Sequence, residues 1–323
     1  MTRLLLLALF IATPAAGQTH PTIFRFHADE FWLNLHHFLY VLGRAEAKMS
    51  DAARSAVIDA PTQAERGLAQ LSAEDRAVWR DAVRYYRSGP STRDLVFDGS
   101  LARTTSALAG AGDRPSLSGL TIEPAVAAAL ERAAPIYRKA WWPAHRAANG
   151  AWRDTMKVEI DRHGPAVLAN VVRAYGMTWP SDGYPIHISG YANWAGAYST
   201  SGNLLVISSL APENRGTMGL EIVFHEAMHQ WDDAMIALVG AQARRVGTSA
   251  APGLTHAMIF YTAGDAVRRV VRGHVPYADA VGIWARGMAH FREPLSTIWK
   301  SYLDGTGTKD EALSRLIVAT SAR

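Results

Sequence analysis

The sequence predicts a mainly α-helical protein with one small antiparallel β-sheet or hairpin, an α+β chain. Three observations predict it. From Asp29 to about Tyr175 apolar residues recur at helical spacing, segment after segment. Between Trp179 and Gly216 the pattern changes to short β-type runs separated by turn residues. After Pro212 the helical pattern returns and holds towards the end.

The 323 residues are 49% hydrophobic and 19% charged, a globular balance that permits one large domain or two modest ones. The formal charge is only +4, and Lys and Arg are scattered. With no basic stripe interleaved with aromatics, nucleic acid is not an expected partner. There is no cysteine, which excludes disulfides and a thiolate metal site.

Residues 1–17 read as a signal peptide. A positive "MTR" precedes the apolar run "LLLLALFIA", and "TPAAG" offers Ala15 and Gly17 before a cut near Gln18. An apolar run of about nine residues is too short to span a bilayer. The expectation is an exported protein, periplasmic or secreted, with no membrane span after cleavage. The remainder divides into a helical region, 18–180, and a region 181–323 that carries the chemistry, read as one continuous globular unit.

The first helical segment, "DEFWLNLHHFLYVLGRAEAKM", has Asp29 as a candidate N-cap and a stripe of Phe31, Leu35, Phe38, Leu39 and Leu42. A second opens at Ser72, with Glu74 and Asp75 forming an acidic first turn. From Glu123 to Gly176 two or three helices are expected, punctuated by Pro135, Pro143 and Gly164–Pro165. The β-type runs hold Ile186, Ile188, Tyr191, Trp194, Tyr198, Leu204, Val206 and Ile207. Within them "STSGN" signals a hairpin, with Gly202–Asn203 suited to positive φ.

The segment "EIVFHEAMHQWDD", residues 221–233, carries the chemistry. Side chains four apart on a helix share one face, so His225 and His229 can both aim a ring nitrogen at one metal. Glu226 stands about 100° round from His225, beside the position of a metal-activated water. Two neutral nitrogens hold Zn²⁺, which makes water acidic enough for a carboxylate to take its proton. At this composition the HExxH pattern arises by chance on the order of 0.02 times per chain. Its context is apolar or uncharged at Val223, Ala227, Met228, Gln230 and Trp231, and an unbroken helix is expected from Thr217 to about Val239.

"VFHEAMHQW" resembles the active-site helix of the zincin metallopeptidases, and "YANWAGAYSTSGNLLVIS" is similar to the edge strand and hairpin that zincins lay over the substrate. The resemblance covers roughly residues 184–270. It implies one zinc ion, a peptide or protein substrate, and peptide hydrolysis in which Glu226 handles the proton. An alternative is a catalytically idle zincin-like protein that binds a peptide or protein partner. The metzincin third ligand would fall at Met235 and its glycine at Asp232, so that branch does not fit. The gluzincin branch uses a Glu on the next helix, yet "LTHAMIFYTAGDAVRRVV" contains none.

On that helix His256 continues into an apolar stripe through Ile259, Phe260, Ala263 and Val267, and is the expected third ligand. Asp265, facing the other way and near Arg268 and Arg269, and Glu293 are the alternatives. Asp232 and Glu221 share the face of the histidine pair and can orient a ligand imidazole. Tyr261 leads the candidates for an oxyanion donor, ahead of Tyr198, His187 and His274. His27 and the tandem His36–His37 could form another site, with at most one of the tandem pair joining any cluster, but they are read as structural.

Overall fold

The computed structural model describes residues 22–47, 59–200 and 204–321; the expected signal segment and the Gly202–Asn203 turn lie outside them. In chain order the elements are β1 (Phe24–His27), α1 (Phe31–Glu46), α2 (Ala60–Leu68), α3 (Ala73–Ser88), α4 (Gly99–Ala109), α5 (Pro124–Ala140) and α6 (Trp142–Tyr175). There follow β2 (Tyr184–Ser189), β3 (Ala197–Thr200), β4 (Leu204–Ser208), α7 (Gly216–Met228), α8 (Asp232–Arg245) and α9 (Leu254–Val270). Short helices α10 (Tyr277–Ala280), α11 (Ala289–Pro294) and α12 (Lys300–Leu303) lead to α13 (Lys309–Ser321). The protein is thus mainly helical with one small sheet, as the periodicities predict.

The sheet order is β1-β2-β4-β3. β1 pairs parallel with β2 and β2 parallel with β4; only β3 and β4 pair antiparallel. The expected antiparallel sheet is therefore corrected to a mixed one. The β3–β4 hairpin is a local pairing with a turn signal. "FRFH" is only four residues long, and its partner strand lies beyond six helices, so nothing local marks it as a strand.

Both faces of the sheet are covered. Leu205 and Ile207 face a core with Leu220, Val223 and Phe224 of α7. Leu204 and Val206 face a second core with Phe38, Trp79 and Tyr137 of the N-terminal helices. A strand buried on both faces becomes a continuous apolar run, and "LLVIS" is one. Fully burying each such side chain contributes roughly 1.5–3 kcal/mol.

Ser72 caps α3 as expected, accepting from the Asp75 N–H at 3.0 Å. The N-cap of α1 is Glu30 rather than Asp29; Asp29 is drawn instead to Arg146 on α6, at 2.6 Å. Pro143 opens α6, where no N–H is required. Pro135 and Pro165 lie inside helices, so the expected break at Gly164–Pro165 does not occur and α6 runs 34 residues. Packing against the core overrides the lost hydrogen bond: Trp152, Met156, Ile160, Val167 and Val171 anchor both halves of α6.

Gly219 is required where the chain enters α7, because a Cβ there would lie 2.5 Å from the Asn214 carbonyl oxygen. Gly264 performs the same service on α9, where a Cβ would meet Pro276 at 2.7 Å. No helix among the described residues is long and apolar enough to cross a membrane.

Candidate metal centre

α7 delivers His225 and Glu226, then tightens into a 3₁₀ turn over His229–Trp231 before α8 begins at Asp232. The expected unbroken helix to Val239 is thus two helices joined by one tight turn. Side chains fix that turn. The His229 Nδ1–H donates to Asp232 Oδ2 at 2.8 Å, and the Trp231 indole donates to the Thr178 carbonyl at 3.1 Å.

α9 packs against α7 and brings His256 to the pair. Ring centroids are 5.2 Å apart for His225–His229, 5.4 Å for His225–His256 and 5.1 Å for His229–His256. One ligand atom from each lies within 4.8 Å of the others, so the three form a group able to hold a metal ion. Phe260, one turn beyond His256, lies 4.1 Å from the His225 ring and 4.7 Å from the His256 ring.

The environment keeps two of the three imidazoles neutral. Burial, then the neighbouring His229 and His256, holds the His225 pKa well below the usual histidine value. Burial, with His229 beside it, pushes His256 down to about 4. His229 goes the other way: burial opposes protonation, but the Asp232 hydrogen bond and the nearby Glu226 carboxylate raise it. Burial also lifts Glu226 above the usual carboxylate range, against the pull of His229. Among the described residues His225 Nδ1 is buried without a hydrogen-bond partner, as is His36 Nε2 in the helical core. Three imidazoles of which two are held neutral, with a carboxylate orienting the third, are a donor set that fits Zn²⁺.

The group opens on a cleft of about 640 Å³, whose wall also includes Glu226, Asp232, Phe97, Ile236 and Tyr277. Two of these are large apolar side chains left in solvent: Phe97 is 88% exposed and Ile236 57%. β3, the last strand of the sheet, contributes Ala197 and Ser199 to the same wall. The Ser199 hydroxyl donates to the Glu226 carbonyl at 2.7 Å and pins the strand to α7.

The other sequence candidates go elsewhere. Asp265 is buried and accepts from Arg268 at 2.8 Å and from Arg269. Glu293 is exposed on α11, and neither residue belongs to the histidine group. Tyr261 is not on the cleft wall; its hydroxyl is engaged with Arg268, and burial raises its pKa to about 12. The expected oxyanion role for Tyr261 is therefore not supported by its position, because a helical step of five from His256 turns it away from the cleft. Tyr198 lines the cleft, but its hydroxyl bonds His37 Nε2 at 2.7 Å in the helical core. His36 and His37 are fully buried there, with His36 Nδ1 2.8 Å from the Tyr86 hydroxyl.

Glu221 is 1% exposed and accepts from His274 Nε2 at 2.6 Å and from the Tyr277 backbone N–H. This clamps the start of α10 to α7 and fixes Tyr277 against the cleft, its ring stacked on Phe260. Sequence reasoning missed Tyr277 and Phe97, and no local signal marks either. No protein-family model, curated protein or solved structure matches this chain.

Proposed function

We propose that the protein is a zinc-dependent peptidase with a zincin-like arrangement, acting after export to the periplasm or medium. The observation that carries the reading is the convergence of His225, His229 and His256 within 4.8 Å, beside Glu226, on the wall of one cleft. His225, His229 and His256 would hold the ion, which when bound supplies a Lewis acid for the scissile carbonyl and lowers the pKa of water.

This chain's own residues account for the rest of the chemistry. Glu226, its carboxylate basicity raised by burial, takes the proton from the attacking water and passes it to the leaving amine. Asp232 holds His229 in one tautomer and orientation through Nδ1. Tyr277 is the cleft-wall phenol assigned to the developing oxyanion, in the role that the sequence suggested for Tyr261. β3 offers an edge to which an extended peptide can add by main-chain hydrogen bonds. Phe97 and Ile236 favour a substrate with a bulky apolar side chain.

The test uses the chain purified without a histidine tag or added metal, analysed for zinc and offered a mixed peptide library. The expected result is zinc at the cleft and cleavage that disappears in Glu226→Gln while that zinc stays bound. Cleavage that survives the substitution would overturn the mechanism. Zinc bound at the cleft without any cleavage would favour the idle, peptide-binding alternative.

A further inference from the structure

A second convergence of metal-binding side chains lies away from the cleft, on the sheet. β1 and β2 run parallel in a register that sets His27 opposite His187, so both imidazoles leave the same face. Three residues after β1, Glu30 brings a carboxylate back to that pair. One ligand atom from each of His27, Glu30 and His187 lies within 4.8 Å of the others.

Two features of this cluster are unusual for residues that only fill space. Glu30 occupies the N-cap of α1 yet makes no capping hydrogen bond. Its carboxylate, 7% exposed, is directed at His187 Nδ1, with its two oxygens at 2.8 and 2.9 Å. The two imidazoles are stacked, centroids 4.8 Å apart and planes 15° from parallel.

We propose that His27, Glu30 and His187 form a second divalent-cation site of the zinc class, which ties β1, the start of α1 and β2 together. Two imidazoles and one carboxylate are donors of the hardness that suits Zn²⁺. A tetrahedral ion at about 2.0–2.1 Å from each donor needs ligand atoms roughly 3.3 Å apart. Glu30 and His187 already stand closer than that, and exposed His27 supplies the closure by turning out of the stack. A dication there neutralises a buried carboxylate and gains both nitrogens. It also links the sheet to the helical core across segments that are far apart in sequence.

The site is independent of the cleft, and its test separates the two. The full chain without a tag, stripped by chelation, is titrated with zinc chloride and followed by calorimetry and thermal melting. Wild type is expected to bind two equivalents. A His225→Ala/His229→Ala chain is expected to keep one, with a rise in Tm on adding zinc. Adding His27→Ala to that background should weaken the remaining equivalent by about 100-fold or more and remove the rise in Tm. Because His27 is exposed, its replacement should leave the metal-free Tm unchanged, which distinguishes a lost ligand from a damaged fold. The proposal is overturned if the cleft double variant binds no zinc, or if His27→Ala leaves its binding and its Tm rise intact. An absence of peptide cleavage in wild type would sink the peptidase reading while leaving these zinc results unaffected.

Discussion

His229 and Asp232 are joined by a 2.8 Å hydrogen bond across the tight turn between α7 and α8. The carboxylate accepts the Nδ1–H hydrogen bond and so keeps the proton on Nδ1, which leaves Nε2 as the nitrogen able to bind a metal. Removing that carboxylate's charge while keeping the side chain's shape tests the arrangement. Asp232→Asn should weaken zinc binding at the cleft by about 10–100-fold. Competition with a chromophoric chelator measures it, and an unchanged affinity would show that Asp232 is only a solvated helix-start residue.

The third ligand can be separated from its rivals by substitution. His256→Ala should abolish zinc binding at the cleft, whereas Glu293→Gln should not affect it. Asp265→Asn should also spare the metal but lower Tm, since it breaks a buried carboxylate's contacts with Arg268 and Arg269. Metal analysis of the three purified variants decides. Loss of cleft zinc in either carboxylate variant would exclude a three-histidine site.

Glu226→Gln should lower kcat by at least about 10²–10⁴-fold, the usual worth of a positioned general base, with zinc still bound. Tyr277→Phe should lower kcat about 10²-fold or more with little change in KM, as expected of a donor used in the transition state. Equal loss in Tyr261→Phe would return the role to the residue that the sequence favoured.

Phe97→Ala should raise KM for peptides with a bulky apolar residue and leave Tm within about 1 °C, because an 88% exposed side chain adds little to stability. Steady-state kinetics on a peptide series that varies one side chain reads the effect. Equal KM values across the series would mean that Phe97 does not touch substrate.

The metal-free chain should lose stability as pH falls from about 6.5 towards 4. Burial holds His37 and His145 at about 4, and His36, His225 and His256 are also lowered by burial. In that window the unfolded chain binds protons that the folded chain refuses, so stability rises with pH and is lost on acidification. His37 and His145 each account for on the order of 3 kcal/mol. Glu30, Glu221 and Glu226, raised mainly by burial, act in the opposite direction but are fewer. Urea midpoints at pH 7, 5.5 and 4.5 check the sign; a midpoint that rises on acidification would contradict it.

Residue order alone specifies the helical bulk, the β3–β4 hairpin, the Ser72 cap and the pairing of His225 with His229. Each follows from periodicity or spacing within a few residues, where the geometry of a helix or a turn leaves little choice. It also pointed to His256, because an apolar stripe on a following helix implies which face turns inward. Everything that depends on contacts between distant segments is set instead by how the elements pack. β1 becomes a strand because β2 is there to pair with it, and the sheet is mixed for that reason. α6 continues through Pro165 because packing on both sides outweighs one missing hydrogen bond. Tyr277, at the start of α10 and held there by the Glu221–His274 clamp, reaches the cleft wall, whereas Tyr261 does not. Phe97 arrives from the turn between α3 and α4, and His27 meets His187 only through strand register. Local spacing fixes directions along one element, whereas the closing of a site depends on how those elements pack.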